Sequence, residues 1–155
     1  MKQTKLGIVV AEFNRDITMK MLKVAKERAK TRKAQIKYIC FVPGTFDMPL
    51  LIEQLIKKED IDAIVTLGSV IRGETAHDKL IAYTAARFIT ELSIKHRKPI
   101  SLGIAGPDMT VTQAKNRIIT VSNMAVDTAI DMVGRLKRLD NITKNLDREK
   151  EVVID

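Results

Sequence analysis

The chain alternates short apolar runs with segments of helical periodicity, four times in succession. The runs typical of buried strands cover residues 6–11, 36–42, 63–67 and 100–104. Apolar residues that recur with a helical period predict helices over residues 16–32, 48–57, 76–96 and 110–139. Strands that alternate with helices form a parallel sheet covered on both faces. The sequence therefore predicts an α/β fold, a three-layer α/β/α sandwich around a four-stranded parallel sheet.

In a sheet of this kind, flavodoxin-like in outline, ligands bind beyond the carboxyl ends of the strands. We therefore expect the functional residues in the loops that follow the four strands, at residues 12–15, 43–47, 68–78 and 105–110. The chain has 155 residues, about the length of one domain, which we predict over residues 1–140. Residues 141–155 are rich in charge and predict a C-terminal tail.

Composition excludes several classes of protein. One cysteine cannot form an internal disulfide, and two histidines are too few for a conventional zinc site, so no metal is expected. The chain shows no secretory signal and no run long enough to cross a bilayer, which predicts a cytoplasmic protein without membrane contact. Its net charge is +8, but the cations alternate with Asp and Glu, and aromatics are only 4% of the residues. Solvated helix faces, or attraction of anionic substrates, explain this charge better than nucleic-acid binding.

The last predicted helix is apolar over more of its surface than one sheet face can cover. Its apolar side chains form two stripes, one of Ala114, Ile118, Val121, Ala125 and Met132, the other of Ile119, Val126, Ala129, Ile130 and Val133. A helix of this kind is buried on more than one side. In a chain this small, the second side predicts a contact with another subunit.

Residues 68–78, GSVIRGETAHD, are the most informative segment because they follow a predicted strand and begin a predicted helix. Thr75 and Asp78 have the spacing of a capping box. Such a helix start would place free N–H groups beside residues 73–75, which is an anion site. His77 would then lie in the first helical turn, where an imidazole is suited to proton transfer near pH 7. Taken separately, the loop could be an ordinary turn and His77 could be structural.

Four segments together carry a pattern known from one family. They are GSVIRGETAHD with its Gly-x-Thr-x-His spacing, residues 13–18, FNRDIT, residues 42–49, VPGTFDMP, and the group Gln113, Ala114 and Arg117. In order, over about residues 5–138, they resemble lumazine synthase (6,7-dimethyl-8-ribityllumazine synthase), in an archaeal-like form. The first is similar to the family's signature, the second to its Phe-Asn-x-x-Ile-Thr element, the third to its Val-Pro-Gly-x-Phe-Glu-Ile-Pro element, and the fourth to the start of its last helix.

The resemblance implies a transferase that needs no cofactor. It would condense 5-amino-6-(D-ribitylamino)uracil with 3,4-dihydroxy-2-butanone 4-phosphate to 6,7-dimethyl-8-ribityllumazine, the penultimate step of riboflavin biosynthesis. It further implies a homo-oligomer, either a pentamer or a sixty-subunit shell of pentamers, with active sites between subunits. Riboflavin synthase is a further candidate partner. Two alternatives stay open: an archaeal-type riboflavin synthase, and a non-catalytic flavin-binding or shell protein.

The same resemblance implies a role for each candidate site residue. His77 would move protons, and Phe13 would stack on the pyrimidinedione ring. The phosphate would be bound by Gly73, Glu74, Thr75 and, from a neighbouring subunit, Arg117. The residues that would contact the ribitylaminouracil are Phe13, Asn14, Thr45, Phe46, Asp47, Ser69, Val70, Ile71 and, from a neighbouring subunit, Leu102.

The chain departs from the family pattern at three places. Asp47 stands where the family has Glu, which withdraws the carboxylate by one methylene, and Asp47 could also cap the following helix. Leu102 stands where the family often has an aromatic residue. Residues 118–123, IITVSN, lack the lysine that the family commonly has after the arginine.

Overall fold

A computed structural model describes residues 3–142 and 151–155 and places a parallel sheet at the centre of the fold. The strands are β1 (Lys5–Ala11), β2 (Gln35–Val42), β3 (Ala63–Ser69), β4 (Ile100–Ser101) and β5 (Ile104–Ala105). Their order is β2-β1-β3-β4, with every neighbouring pair parallel, and β5 pairs with β3. The central strands β1 and β3 are buried almost throughout, which explains their continuous apolar runs.

Four helices cover the two faces of this sheet. They are α1 (Arg15–Thr31), α2 (Met48–Leu55), α3 (His77–His96) and α4 (Val111–Ile142), and a 3₁₀ turn, Thr45–Asp47, precedes α2. Helices α1 and α4 share one hydrophobic core with the sheet, and α2 and α3 share the other. The predicted three-layer α/β fold is therefore confirmed. No helix among the described residues is long and apolar enough to cross a membrane.

The fourth strand differs from the prediction because it is divided into β4 and β5. The Thr66 hydroxyl donates to the carbonyl oxygen of Ser101 at 2.8 Å and accepts the N–H of Gly103 at 3.1 Å. A Cβ atom on Gly103 would lie 2.0 Å from the carbonyl oxygen of Thr66, so the backbone passes too close for any side chain. Leu102, between the two short strands, is 48% exposed.

The orientation of α3 also differs from the prediction. The helical period of the sequence predicts a core-facing side made of Leu80, Ile81, Thr84, Ala85, Phe88 and Leu92. Ala85 is buried and Ile81 and Leu92 pack against the core, but Leu80 and Phe88 are exposed on this chain. The buried side chains of α3 are those of Asp78, Ala82, Ala85 and Ile89. Leu80 lies two residues from the start of this stripe, which turns it about 200° away from the core. The exposed apolar residues form a surface that the chain itself does not cover.

In α4, the two predicted stripes are only partly buried. The buried apolar residues are Ala114, Ile118, Ala125, Val126, Ala129 and Val133. Ile119 and Met132 are exposed. The helix continues to Ile142, beyond its predicted end, and residues 143–150 of the predicted tail lie outside the described residues.

Ion pairs on the face opposite α2 and α3 join α1 to α4. Arg28 forms two hydrogen bonds to the Asp127 carboxylate, at 2.8 and 2.7 Å. Arg32 bridges Asp127 and Asp131, at 2.6 Å each. The hydrogen bond from Arg28, reinforced by Arg32, holds the pKa of Asp127 below its ordinary range. These contacts fix α4, and with it Arg117, relative to the sheet.

Candidate active site

The loops after β1, β2 and β3 meet at the carboxyl edge of the sheet, as predicted from the topology. The backbone N–H of Phe13, after β1, donates to the carbonyl oxygen of Pro43, after β2, at 3.0 Å. The side-chain amide of Asn14 donates to the carbonyl oxygen of Ser69, at the end of β3, at 2.8 Å. Asn14 has φ 58° and ψ 48°, a left-handed conformation that Asn tolerates better than most residues. Three of the predicted loops therefore form one surface.

The second loop adds Thr45 to this surface. A Cβ atom on Gly68, in β3, would lie 2.8 Å from the Thr45 hydroxyl oxygen, so Thr45 packs directly on the end of β3. Thr45 is buried, whereas Phe46, the next residue, is 58% exposed. Phe13 is 72% exposed. Two aromatic rings that face solvent beside polar loop residues are suited to stacking on a flat ligand.

Asp47 is held within its own loop. One carboxylate oxygen accepts the backbone N–H of Gly44 at 2.9 Å, and the Asp47 N–H donates back to the Gly44 carbonyl oxygen at 3.1 Å. Asp47 occupies the N-cap position of α2, but its side chain makes no capping hydrogen bond to that helix. Asp47 is therefore the N-cap residue of α2 by position, as the alternative predicted, but it does not cap that helix through its side chain. Its side chain instead closes the 3₁₀ turn through the Gly44 N–H.

Ser69 and Val70 contribute mainly backbone to the site. Both side chains are buried, and that of Ile71 is half-buried. The N–H of Val70 donates to the carbonyl oxygen of Ala105 at 2.8 Å, and the carbonyl oxygen of Ser69 accepts from Asn14. These residues therefore support the first loop and the β5 segment.

The predicted capping box of Thr75 and Asp78 is absent. Helix α3 begins at His77 and has Ala76 as its N-cap, without a side-chain hydrogen bond. Thr75 lies one residue before the capping position, and the buried Asp78 carboxylate accepts the N–H of Asp108 at 2.9 Å instead. The first N–H groups of a helix have no intrahelical partner, so they remain available to an anion. Residues 73–77 are all exposed, including His77.

A capping box is present at the start of α4, where the sequence interpretation did not look for one. The Thr110 N–H donates to the side-chain oxygen of Gln113 at 2.9 Å, and the Gln113 N–H donates to the Thr110 hydroxyl at 3.2 Å. The signal was present in the sequence as Thr-x-x-Gln at the start of an apolar periodic segment. The box fixes the first turn of α4, two turns before Arg117.

Arg117 and Leu102 stand apart from the other candidates. The Arg117 side chain is exposed and folds back on its own helix, where it donates to the Gln113 carbonyl oxygen at 3.3 Å. Leu102 follows the edge strand β4 and is half-exposed. Within the described residues of one chain, neither has a hydrogen bond to the three converging loops. The other candidates all lie in or beside those loops. They are Phe13, Asn14, Thr45, Phe46, Asp47, Ser69, Val70, Ile71, Gly73, Glu74, Thr75 and His77.

Asp108 lies in the fourth predicted loop, residues 105–110, but the sequence analysis did not identify it as a candidate residue. Its carboxylate accepts from Arg72 at 3.1 Å and lies 3.9 Å from the Lys79 ammonium nitrogen. Its backbone has φ 61°. The Gly-Pro-Asp sequence at residues 106–108 is a turn signal that could have identified it.

The two cavities found among the described residues lie away from these loops. A cavity of 850 Å³ lies at the amino edge of the sheet, beside Thr4, Arg32 and Arg135. The converging loops are instead open to solvent, as the exposure of Phe13 and Phe46 shows. Convergent aromatic, polar and titratable groups locate the candidate site better than concavity does, because ligand pockets can lie between subunits.

The fold is an α/β sandwich, a class in which ligands bind at the carboxyl ends of the parallel strands, where the candidate loops of this chain converge. Residues 3–137 match the family model described as 6,7-dimethyl-8-ribityllumazine synthase. A protein of that name from Methanocaldococcus jannaschii is 51% identical over 135 residues, which cover 87% of this chain and 95% of the relative. Another, from Saccharolobus islandicus, is 49% identical over 153 residues, which cover 99% and 97%. The chain belongs to the 6,7-dimethyl-8-ribityllumazine synthase family, which confirms the resemblance seen in the motifs.

Proposed function

We propose that this chain condenses 5-amino-6-(D-ribitylamino)uracil with 3,4-dihydroxy-2-butanone 4-phosphate to form 6,7-dimethyl-8-ribityllumazine. As a member of its family, it is a transferase of riboflavin biosynthesis. The observation that carries the proposal is the match to 6,7-dimethyl-8-ribityllumazine synthases at about half of all positions along nearly the whole chain. The convergence of the first three loops supports it.

The pyrimidine substrate would lie on the surface formed by the first two loops. Phe13 and Phe46 are the exposed rings there, and a stacked ring would desolvate them. Asn14 is held by its bond to Ser69, so its remaining side-chain oxygen can accept from the ligand. Asp47 uses one oxygen to close its turn and has a second for a ribityl hydroxyl. Ser69, Val70 and Ile71 would form the floor, with Thr45 beside them.

The phosphate of the second substrate would lie at the start of α3. Gly73, Glu74 and Thr75, which precede the uncapped start of α3, would bind it together with the free N–H groups of the first helical turn. Arg117 of a neighbouring subunit would add a guanidinium, whose planar N–H groups match phosphate oxygens. Leu102 of that neighbour would cover the heterocycle.

The proposed reaction needs no protein nucleophile. The 5-amino group of the pyrimidine attacks the ketone, and loss of water gives a Schiff base. Inorganic phosphate is then eliminated, and the ribitylamino nitrogen closes the ring with loss of a second water. Orientation of the two substrates can contribute about 7–11 kcal/mol. His77, exposed beside the phosphate site, would transfer the protons and contribute about 10²–10⁴-fold.

The site would be complete only in an assembly. Apolar surface is left uncovered on the chain by Leu80, Phe88, Ile119 and Met132. The hydrogen bond of Arg117 is to the backbone of its own helix and not to the loops of its own chain. We therefore extend the proposal to a homo-oligomer, a pentamer or a sixty-subunit shell, with sites between subunits. Native mass spectrometry would test it, and a fully active monomer would contradict it. The same proposal includes a cytoplasmic location, a domain over residues 1–140 followed by a charged tail, and riboflavin synthase as a partner.

The test of function is product formation from purified components. With both substrates, the chain should release 6,7-dimethyl-8-ribityllumazine and one equivalent of phosphate. Incubation with that lumazine alone separates the nearest alternative, because a riboflavin synthase would then produce riboflavin. If neither product forms, calorimetry with a ribityl-pyrimidine inhibitor, before and after Phe13→Ala, distinguishes a non-catalytic binding protein from a purely structural one. Turnover with both substrates is the expected result.

A further inference from the structure

Residues 73–77 form an exposed arch, and both of its ends are fixed to the same short segment of the chain. Before the arch, the backbone N–H of Arg72 donates to the carbonyl oxygen of Met109 at 2.9 Å, and the Arg72 guanidinium pairs with the Asp108 carboxylate at 3.1 Å. After the arch, the Asp78 carboxylate accepts the backbone N–H of Asp108 at 2.9 Å. Asp108 is therefore bound from both sides.

The segment that receives both ends is itself held against the sheet. Gly106 has φ 102°, and a Cβ atom there would lie 2.1 Å from the carbonyl oxygen of Val70. Met109 is buried in the core between the sheet, α1 and α4. Asp108 between them adopts φ 61°, which costs energy for a residue other than glycine and needs local contacts to hold it. Residues 106–109 are therefore held in place by the sheet and the core. The position of the arch, residues 73–77, depends on its contacts to them.

Asp78 is the buried contact of this arrangement. Its side chain is only 5% exposed, although Asp is rarely buried without a partner. The hydrogen bond to Asp108 and the positive end of the α3 dipole compensate for its burial. His77 and Asp78 are adjacent on a helix, so their side chains point in different directions. Among the described residues, no hydrogen bond joins Asp78 to His77, which argues against a direct role in its proton transfer.

We propose that Asp78 is a positioning residue, which holds the arch so that its N–H groups and His77 face the keto-phosphate substrate. Arg72 fixes the other end through Asp108. The inference rests on the proposed function, since the arch is where the phosphate would bind. The buried Asp78 carboxylate, which does not touch the substrate, would then set the geometry of the phosphate site.

The test compares Asp78→Ala with Asp78→Asn in the assembled protein, with Glu91→Ala as control. Asn keeps an oxygen that can accept the Asp108 N–H, whereas Ala removes it. Asp78→Ala should lower kcat/KM for the keto-phosphate about 10–100-fold, and change the KM for the ribitylaminouracil little. Asp78→Asn should retain most of the wild-type kcat/KM for the keto-phosphate. Glu91 is exposed on the same helix and pairs only with Arg87 among the described residues, so its loss should change neither parameter.

Hydrogen exchange without substrate provides a readout that does not depend on turnover. The amides of residues 73–77 should exchange faster in Asp78→Ala than in the wild type, and at the wild-type rate in Asp78→Asn. If Asp78→Ala does not fold, Arg72→Ala replaces it: this exposed side chain can be removed without a cavity, and it should also speed exchange and raise the KM for the keto-phosphate.

Three results would overturn the inference. The first is wild-type amide exchange and wild-type kinetics in Asp78→Ala. The second is an equal kinetic loss in Asp78→Ala and Asp78→Asn. The third applies where Asp78→Ala does not fold, and is wild-type amide exchange and kinetics in Arg72→Ala. The second would show that the charge of Asp78 acts, and not its hydrogen bond. A wild-type protein that forms no lumazine would instead contradict the proposed function, while the exchange comparison would still test the arch.

Discussion

Thr66→Val tests whether one buried hydroxyl both stabilises the sheet and holds the segment between β4 and β5 in place. Thr66 is fully buried, and its hydroxyl accepts the N–H of Gly103 and donates to the carbonyl oxygen of Ser101. Valine has nearly the same shape but can do neither. The buried Gly103 N–H would lose its acceptor, which costs about 1–3 kcal/mol. For a chain of this length, ~2 kcal/mol lowers the Tm by roughly 4–8 °C.

The same change should be detected in catalysis, because Leu102 lies between the two hydrogen bonds. Release of the Gly103 N–H would let the segment between β4 and β5 move, and Leu102 with it. We expect a higher KM for the ribitylaminouracil, measured by lumazine formation, together with the lower Tm measured by calorimetry. Thr66→Ser is the matched control, since it keeps the hydroxyl and removes one methyl group. A Thr66→Val protein that is as stable as Thr66→Ser would refute this account of the divided strand.

Two further predictions concern titratable side chains. His77→Ala should lower kcat about 10²–10⁴-fold in a steady-state assay, because the variant lacks the group that transfers protons. It should change the free energy of unfolding by less than about 0.5 kcal/mol, because the side chain is exposed. An undiminished kcat would remove His77 from the mechanism. Hydrogen bonds from Lys95 and then His96 lower the pKa of Glu53 from 4.5 to about 2. A lowered pKa means that Glu53 stabilises the fold above pH 4.5 and that this contribution is lost as the pH falls towards 2. Glu53→Gln should therefore be less stable than the wild type in thermal unfolding at pH 7, with a difference that shrinks steadily below pH 4.5; a constant difference would contradict the assignment.

The strands were predictable because burial on both faces leaves a local signature. β1 and β3 are apolar at nearly every position, and a parallel sheet then follows from the helices between them. The division of the fourth strand was not predictable, because it depends on a contact between Thr66 and Gly103, far apart in sequence. No pattern around Gly103 distinguishes it from a glycine that is merely tolerated in a strand.

The site, like the sheet, was predictable where it depends on local sequence and not where it depends on contacts between distant residues. The loops were predictable from topology, and Phe13 and Phe46 lie on them as expected. Spacing alone misplaced the capping box, since Thr75 and Asp78 fit the pattern but Asp78 is bound by a residue from another loop. The inward face of α3 was mispredicted at Leu80 and Phe88 for a related reason. Its apolar residues include an exposed set, so hydrophobicity did not identify the side that faces the sheet.

The proposed assembly would couple catalysis to subunit contact, and mixing two inactive variants tests this coupling. His77 would come from one subunit and Arg117 from its neighbour. His77→Ala keeps Arg117, and Arg117→Ala keeps His77, so each variant alone should be nearly inactive. In an equal, randomly reassembled mixture, about one quarter of the interfaces would pair an intact His77 with an intact Arg117. We therefore expect about a quarter of the wild-type kcat after joint unfolding and refolding, and no recovery when the same variants are mixed without exchange of subunits. A reassembled mixture that stays inactive would mean that both residues act within one chain, and the site would then have to be complete in a monomer.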